Sequence, residues 1–151
     1  MATFLSTVDR GVTNETTTFR LLKESAVVNA DARDRVVFGR PIGANQGVSF
    51  PIADAHCTLE AAALMVREAA TLVDSGVGAG VQCNMAKLLA ADASWKAGDV
   101  CVQTHGGYGF ATEFDIERKF RETRLYRVAP ISTNLIHAFV AEKVLGMPRT
   151  Y

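Results

Sequence analysis

The chain has 151 residues, sixteen Lys and Arg balance sixteen Asp and Glu, and 48% of it is hydrophobic. That length suits one domain burying roughly two thirds of its unfolded surface, and the composition excludes disorder and any strong field that would gather nucleic acid. The three cysteines, Cys57, Cys83 and Cys101, form no C-x-x-C pair, so they read as core thiols in a reducing compartment rather than a disulfide framework or zinc ribbon.

No apolar run approaches the roughly 20 residues that a membrane helix needs, and the start lacks the apolar stretch of a signal peptide. A transit peptide fits poorly, because Asp9 and Glu15 interrupt a start rich in Thr and Arg. The expectation is a cytoplasmic protein with no membrane or nucleic-acid partner; mitochondrial and peroxisomal locations stay open.

Residues 1–18 are poorly defined as an element, since "TNETTT" sets four β-branched threonines where a helix needs better formers. From Phe19 to about Arg35, the positions Phe19, Leu22, Ala26 and Ala30 recur at helical spacing, and "FGRPIGANQG" ends that helix. The clearest stripe runs over residues 50–75, through Ile52, Ala55, Leu59, Ala62, Ala63, Val66, Ala70 and Val73, and "DSGVGAG" closes it. A third helix over about 81–103 carries Met85, Leu88, Leu89 and Trp95, is weakened by Gly98, and has an apolar face broad enough for the interior. A shorter helix is predicted from near Glu113 to about Tyr126, with Thr112 as N-cap and Asp115 in the capping-box position. The last follows Pro130, over about 131–146, and ends at Gly146. Strand-like alternation is missing. The expected fold is all-α, an antiparallel four-helix bundle with an additional short helix, spanning residues 19–151.

Two stretches bear chemistry. "GGYG" follows a helix rather than a strand and misses the G-x-G-x-x-G spacing, so a Rossmann site is excluded. Either a ligand approaches the backbone there, next to a helix start that offers N–H groups to an anion, or the glycines make a tight helix–helix connection. In "RVVFGRPIGANQG", Arg35 can settle the carbonyl end of a helix with Phe38 as a core plug. "EFDIERKFRETR" pairs Glu117 with Arg121 at i,i+4, a solvated or interhelical face. His56, His105 and His137 share no ligand spacing with cysteines or carboxylates, so no metal is expected; only His105, beside the glycines, is placed for a ligand contact.

Together, "R-x-x-F-G-[RK]-x-I…Q" and, after a long helical hairpin, "Q-x-H-G-G-x-G…E-[FY]-x-[IV]-E-R…R-[ED]" resemble the C-terminal helical domain of the acyl-CoA dehydrogenase family, from about Arg35 to the end. The resemblance implies a four-helix bundle that helps to bind FAD, which accepts a hydride from the β-carbon of an acyl-CoA thioester while a carboxylate removes the α-proton. By matching motif, Arg35 and Phe38 resemble residues that meet the flavin's diphosphate and adenine side from a neighbouring subunit. Ile42, Asn45 and Val48 fall where that loop continues along the cofactor. Gln103 and Gly107 resemble the second half of the same site, and Ser132 and Asn134 match positions that hydrogen-bond the flavin. The same resemblance implies a homo-oligomer (dimer or tetramer), acyl-CoA substrates and an electron-transfer flavoprotein as partner.

Two departures stand out. The family's N-terminal helical domain and middle β-domain have no counterpart in these residues, so the chain alone is expected to be incomplete as a catalyst. The family's glutamate lies in Y-E-G-T, where this sequence reads "VAPIST", with Pro130 at the position of the base. Some members take the base from an E-R pair on the first helix; Asp9-Arg10 falls there, which makes Asp9 the candidate catalytic residue against the alternative of a surface aspartate near a frayed terminus. A catalytically degenerate binding or oligomerisation module is the second functional reading.

Overall fold

The computed structural model describes residues 28–149. Residues 28–34 are helical, here α1, and a small antiparallel hairpin follows: β1 (Val36–Val37) and β2 (Arg40–Pro41), with Val36 opposite Pro41 and Val37 opposite Arg40. Then come α2 (Gln46–Asp74), α3 (Gly80–His105), α4 (Ile116–Val128) and α5 (Thr133–Phe139), the last prolonged by a π-helical turn Val140–Val144. The expected all-α bundle is present. Its axis is α3, against which α2, α4, α5 and the 3₁₀ turn Gly106–Phe110 all pack.

The α2–α3 hairpin is sewn by alanine. Ala55, Leu59 and Ala62 meet Ala90, Ala93 and Ala97 at one level, and Val66 and Ala69 meet Ala79, Cys83 and Ala86 at the other, which is the order of two antiparallel helices. Small side chains let the two backbones approach closely, while Leu59, 1% exposed, contributes about 1.5–3 kcal/mol as a buried large residue. A third cluster joins Val28 of α1 to Cys101 of α3 and Ile116 of α4. Within α1 the buried positions are Val28 and Ala32, whereas Ala30, counted in the predicted stripe, is exposed. Phe19, Leu22, Ala26 and the whole of residues 1–18 lie outside the described residues.

Boundaries differ from expectation for local reasons. Helix α2 starts at Gln46 rather than near 50, because the Asn45 carbonyl accepts from the Val48 and Ser49 amides and opens the helix ahead of Pro51. Its end follows the Schellman pattern: Gly76 has φ +71°, its N–H bonds the Val73 carbonyl, and the Val77 N–H reaches Leu72. Helix α4 starts at Ile116, not near Glu113; residues Thr112–Phe114 form a 3₁₀ turn, and Asp115 adopts φ 60°, ψ 4°. Neither Thr112 nor Asp115 caps through its side chain, because the Asp115 carboxylate is taken by Arg118. Gly98 is no weakness in α3. A Cβ there would lie 3.2 Å from Thr123 Oγ1 and 3.4 Å from Phe120, so the glycine is what lets α4 pack closely.

Candidate functional site

Arg35 is where the two sequence clusters meet. Its backbone carbonyl accepts from the Ile42 amide at 2.9 Å, closing the hairpin. Its guanidinium reaches across the chain: Nη1 donates to the His105 carbonyl at 3.3 Å, lies 3.7 Å from Asp31 Oδ2, and the head sits 5.4 Å from the centre of the Tyr108 ring. Arg35 therefore does settle a helix carbonyl end, but that of α3, seventy residues away. Tyr108 in turn stacks on Phe114 with ring centres 4.9 Å apart. Tyr108 and Asp31 drew no role from the sequence, although the aromatic between glycines was visible in "GGYG".

The hairpin turn presents Phe38. Phe38 and Gly39 both have positive φ, 53° and 77°, as the central pair of a type I′ turn requires. Phe38 is fully exposed at 102%, so it is not the core plug. A left-handed phenylalanine costs about 1–2 kcal/mol, and here the hairpin holds the apolar ring clear of the rest of the chain at that cost. Below it, Asn45 knits the loop: its Nδ2 donates to the Ile42 carbonyl at 3.0 Å and its Oδ1 accepts from Arg40 at 2.5 Å. Ile42 and Val48 are half-buried under this loop.

The three glycines of residues 106–109 have three different reasons. Gly106 has φ 58° and ψ −127°, a conformation that side chains resist. At Gly109 a Cβ would lie 2.8 Å from the Val102 carbonyl oxygen, so absence of a side chain allows the turn to fold onto α3. Gly107 has neither constraint: no heavy atom lies within 4 Å of where its Cβ would stand, and the residue is exposed. Two of the glycines thus serve the tight connection, and one leaves backbone open. Gln103 is exposed one turn before them. His105 is 3% exposed with Nδ1 2.9 Å from the Cys101 carbonyl, so its ring faces the core rather than a ligand.

The other predicted positions among the described residues lie at the junction of α4 and α5 and in the first turn of α5. Ser132 is the N-cap of α5, its Oγ accepting from Leu135 N at 3.4 Å, and Asn134 is exposed. Pro130 is exposed as well and offers no titratable group. Asp9 lies outside the described residues. Of the cysteines, Cys83 and Cys101 are buried as expected, but Cys57 is exposed on α2. Among the described residues, no three His, Cys, Asp or Glu side chains converge as a metal site, and no helix is long and apolar enough to cross a membrane.

The fold and the site define a helical bundle that gathers an arginine, an exposed aromatic and an open glycine turn at one end. Residues 22–145 match the family model described as "Acyl-CoA dehydrogenase, C-terminal domain", and the chain belongs to that family. It is 45% identical over 121 residues to acyl-CoA dehydrogenase FadE12 of Mycobacterium tuberculosis, a match covering 79% of this chain and 31% of that protein. Among solved structures, the FAD complex of PigA superposes with a TM-score of 0.84 at 26% identity, over 87% of this chain and 34% of that one. Butyryl-CoA dehydrogenase of Megasphaera elsdenii superposes with a TM-score of 0.83 at 25% identity, over 87% and 34% respectively. The chain spans about a third of the length of the curated relatives it matches.

Proposed function

We propose that this chain is the flavin-contacting C-terminal bundle of an acyl-CoA dehydrogenase-like oxidoreductase, which withdraws hydrogen from adjacent carbons of an acyl-CoA thioester with FAD. The observation that carries this reading is the junction at Arg35, which places the hairpin with its exposed Phe38 against the turn holding the open Gly107. The residues fit the group. A diphosphate needs a cation and unobstructed backbone, for which Arg35 and Gly107 serve; an adenine or isoalloxazine face needs an aromatic or neutral donors, for which Phe38, Gln103, Ser132 and Asn134 serve. Ile42, Asn45 and Val48 hold the shape of the hairpin's return. Bound there, FAD would supply the hydride acceptor, and these residues would bind and orient it.

Relatives whose names state acyl-CoA dehydrogenase activity and a solved relative in complex with FAD support the same reading. On it, the exposed aromatic end is completed by another copy of the chain, an electron-transfer flavoprotein takes the electrons, and the protein works in the cytoplasm. The catalytic base is Asp9. A second reading, a catalytically degenerate binding or oligomerisation module, is favoured by one observation, the proline at position 130.

Flavin titration tests the site. Arg35→Ala should weaken FAD binding by about 1.5–3 kcal/mol, the scale of a charge-assisted hydrogen bond, and Gly107→Val should block backbone approach. Two variants that bind FAD as well as the parent would remove the assigned site; a parent that leaves FAD free in solution would remove flavin binding from this chain.

A further inference from the structure

The last turn of α4 has a carbonyl that the helix itself cannot satisfy. Tyr126 would look four residues onward for a donor and finds Pro130, which has no N–H. The partner comes instead from α3: Lys87 Nζ donates to the Tyr126 carbonyl, from a residue only 7% exposed and set among Cys83, Ala86, Ala90 and Ala91. One residue further along α4, Arg127 Nε lies 3.1 Å from Asp92 Oδ1, again on α3 and about one turn beyond Lys87. A hydrogen bond from Lys87 and an ion pair without hydrogen-bond geometry at Arg127 therefore join the same turn of α4 to the same stretch of α3. Directly after it the chain passes through residues 129–132 into the Ser132 cap of α5. A buried ammonium is an expensive way to hold two helices together when methionine would fill the same volume. What an apolar residue lacks is the fixed direction of the hydrogen bond.

We propose that Lys87, seconded by the Asp92–Arg127 pair, is a positioning residue for the segment 129–134: it anchors the C-terminal turn of α4 and so determines where Ser132 and Asn134 stand. Its consequence for flavin rests on the function proposed above, but the clamp itself does not. The cation lies at the negative end of the α4 dipole, where a positive charge is favoured and a helix terminus is otherwise free to fray. Proline at 130 offers Tyr126 no backbone donor, and the lysine at 87 supplies one from another helix.

Hydrogen exchange followed by mass spectrometry on the full chain, without flavin, tests the anchor. In Lys87→Met, peptides covering 125–136 should exchange about tenfold to a hundredfold faster, while peptides of α2 over 55–69 keep the parent's protection. Lys87→Arg, which retains charge and donors, should recover at least part of the lost protection. Unchanged exchange over 125–136, or equal acceleration in 55–69, would overturn the proposal, the second because Lys87 would then support only the core. If Lys87→Met does not fold, Asp92→Asn decides the matter: faster exchange confined to 125–136 supports the anchor, and none overturns it. Flavin titration of the same proteins is a separate arm. A parent that leaves FAD free counts against the proposed function while the exchange result stands, and a parent that binds FAD should bind it more tightly than Lys87→Met does.

Discussion

Adding one methyl group at each glycine of the 106–109 turn separates what the fold needs from what a ligand needs. At Gly109 the new Cβ would stand 2.8 Å from the Val102 carbonyl oxygen and 3.1 Å from Val102 Cα, both backbone atoms of α3 that cannot swing aside. Either the turn lifts off the helix or the helix bends, and overpacking of this kind costs about 1–3 kcal/mol. For a chain of this size each kcal/mol moves the midpoint by about 2–4 °C, so Gly109→Ala should melt about 2–12 °C below the parent. Gly106→Ala meets no atom but must hold φ 58° and ψ −127°, at about 1–3 kcal/mol of backbone strain. Gly107→Ala meets nothing and has no positive φ, so its melting should stay within about 0.5 kcal/mol of the parent. Thermal melts by circular dichroism measure all three. Gly109→Ala melting with the parent, or Gly107→Ala falling as far as Gly109→Ala, would refute the division of roles among the glycines.

The exposed Phe38, Tyr108, Phe110 and Phe114 around Arg35 should be covered in solution by another copy of the chain; light scattering at micromolar concentration should show a dimer or larger, and a clean monomer would count against it. The chain alone should not reduce a dye with acyl-CoA at the rate of a complete enzyme, because orientation of substrate against flavin is worth roughly 7–11 kcal/mol of barrier. If the family's other domains supplied in trans restore turnover, Asp9→Asn should lower it by about two to four orders of magnitude, and restored activity indifferent to that change would exclude Asp9 as the base.

What the sequence disclosed, and what it hid, follows from the range of each interaction. The α2 stripe was legible because helical period needs only neighbours; Ala55, Leu59, Ala62, Ala63 and Val66 are all buried as read. Toward the end of α2 the fully buried position is Ala69, with Val73 half-buried against the same cluster and Ala70 half-buried, because the partner surface on α3 selects among residues that pattern alone leaves equivalent. The hairpin was hidden because two-residue strands carry no alternation. Helix α4 was started too early because Thr112 with Asp115 three residues on has the pattern of a capping box, whereas Thr112 opens only a 3₁₀ turn and the Asp115 carboxylate is held by Arg118. The two site motifs were recognisable as a pair in the order of the sequence, whereas their contact through Arg35 and His105 spans seventy residues and belongs to tertiary structure. Lys87 was invisible for the same reason: a lysine in an alanine-rich helix looks solvent-facing until the carbonyl from Tyr126 is known.

That lysine also gives the bundle a pH dependence with a defined sign. Burial pushes the Lys87 ammonium below the ordinary 10.5, and Asp92 pulls it only part of the way back. The folded chain therefore releases this proton before the unfolded chain does. Between the depressed value and 10.5 the unfolded state binds more protons, and stability attributable to Lys87 rises with pH across that window. Below the window the cost of burying the charge is felt in full; above it the cost is gone, while the neutral amine still donates to the Tyr126 carbonyl. Cys83, one turn earlier on α3, acts in the opposite sense: burial raises its thiol above the ordinary 9.0, so the unfolded thiol ionises first and stability falls with pH from there to the folded value. Subtracting the stability of Lys87→Met from that of the parent cancels Cys83 and isolates the lysine. Urea unfolding at steps from about pH 7 to about pH 11 should show the difference moving in favour of the parent as pH rises. A constant difference would mean that Lys87 titrates at its ordinary value and is hydrated rather than enclosed, and a difference moving in favour of the variant would mean that the folded bundle stabilises the charge.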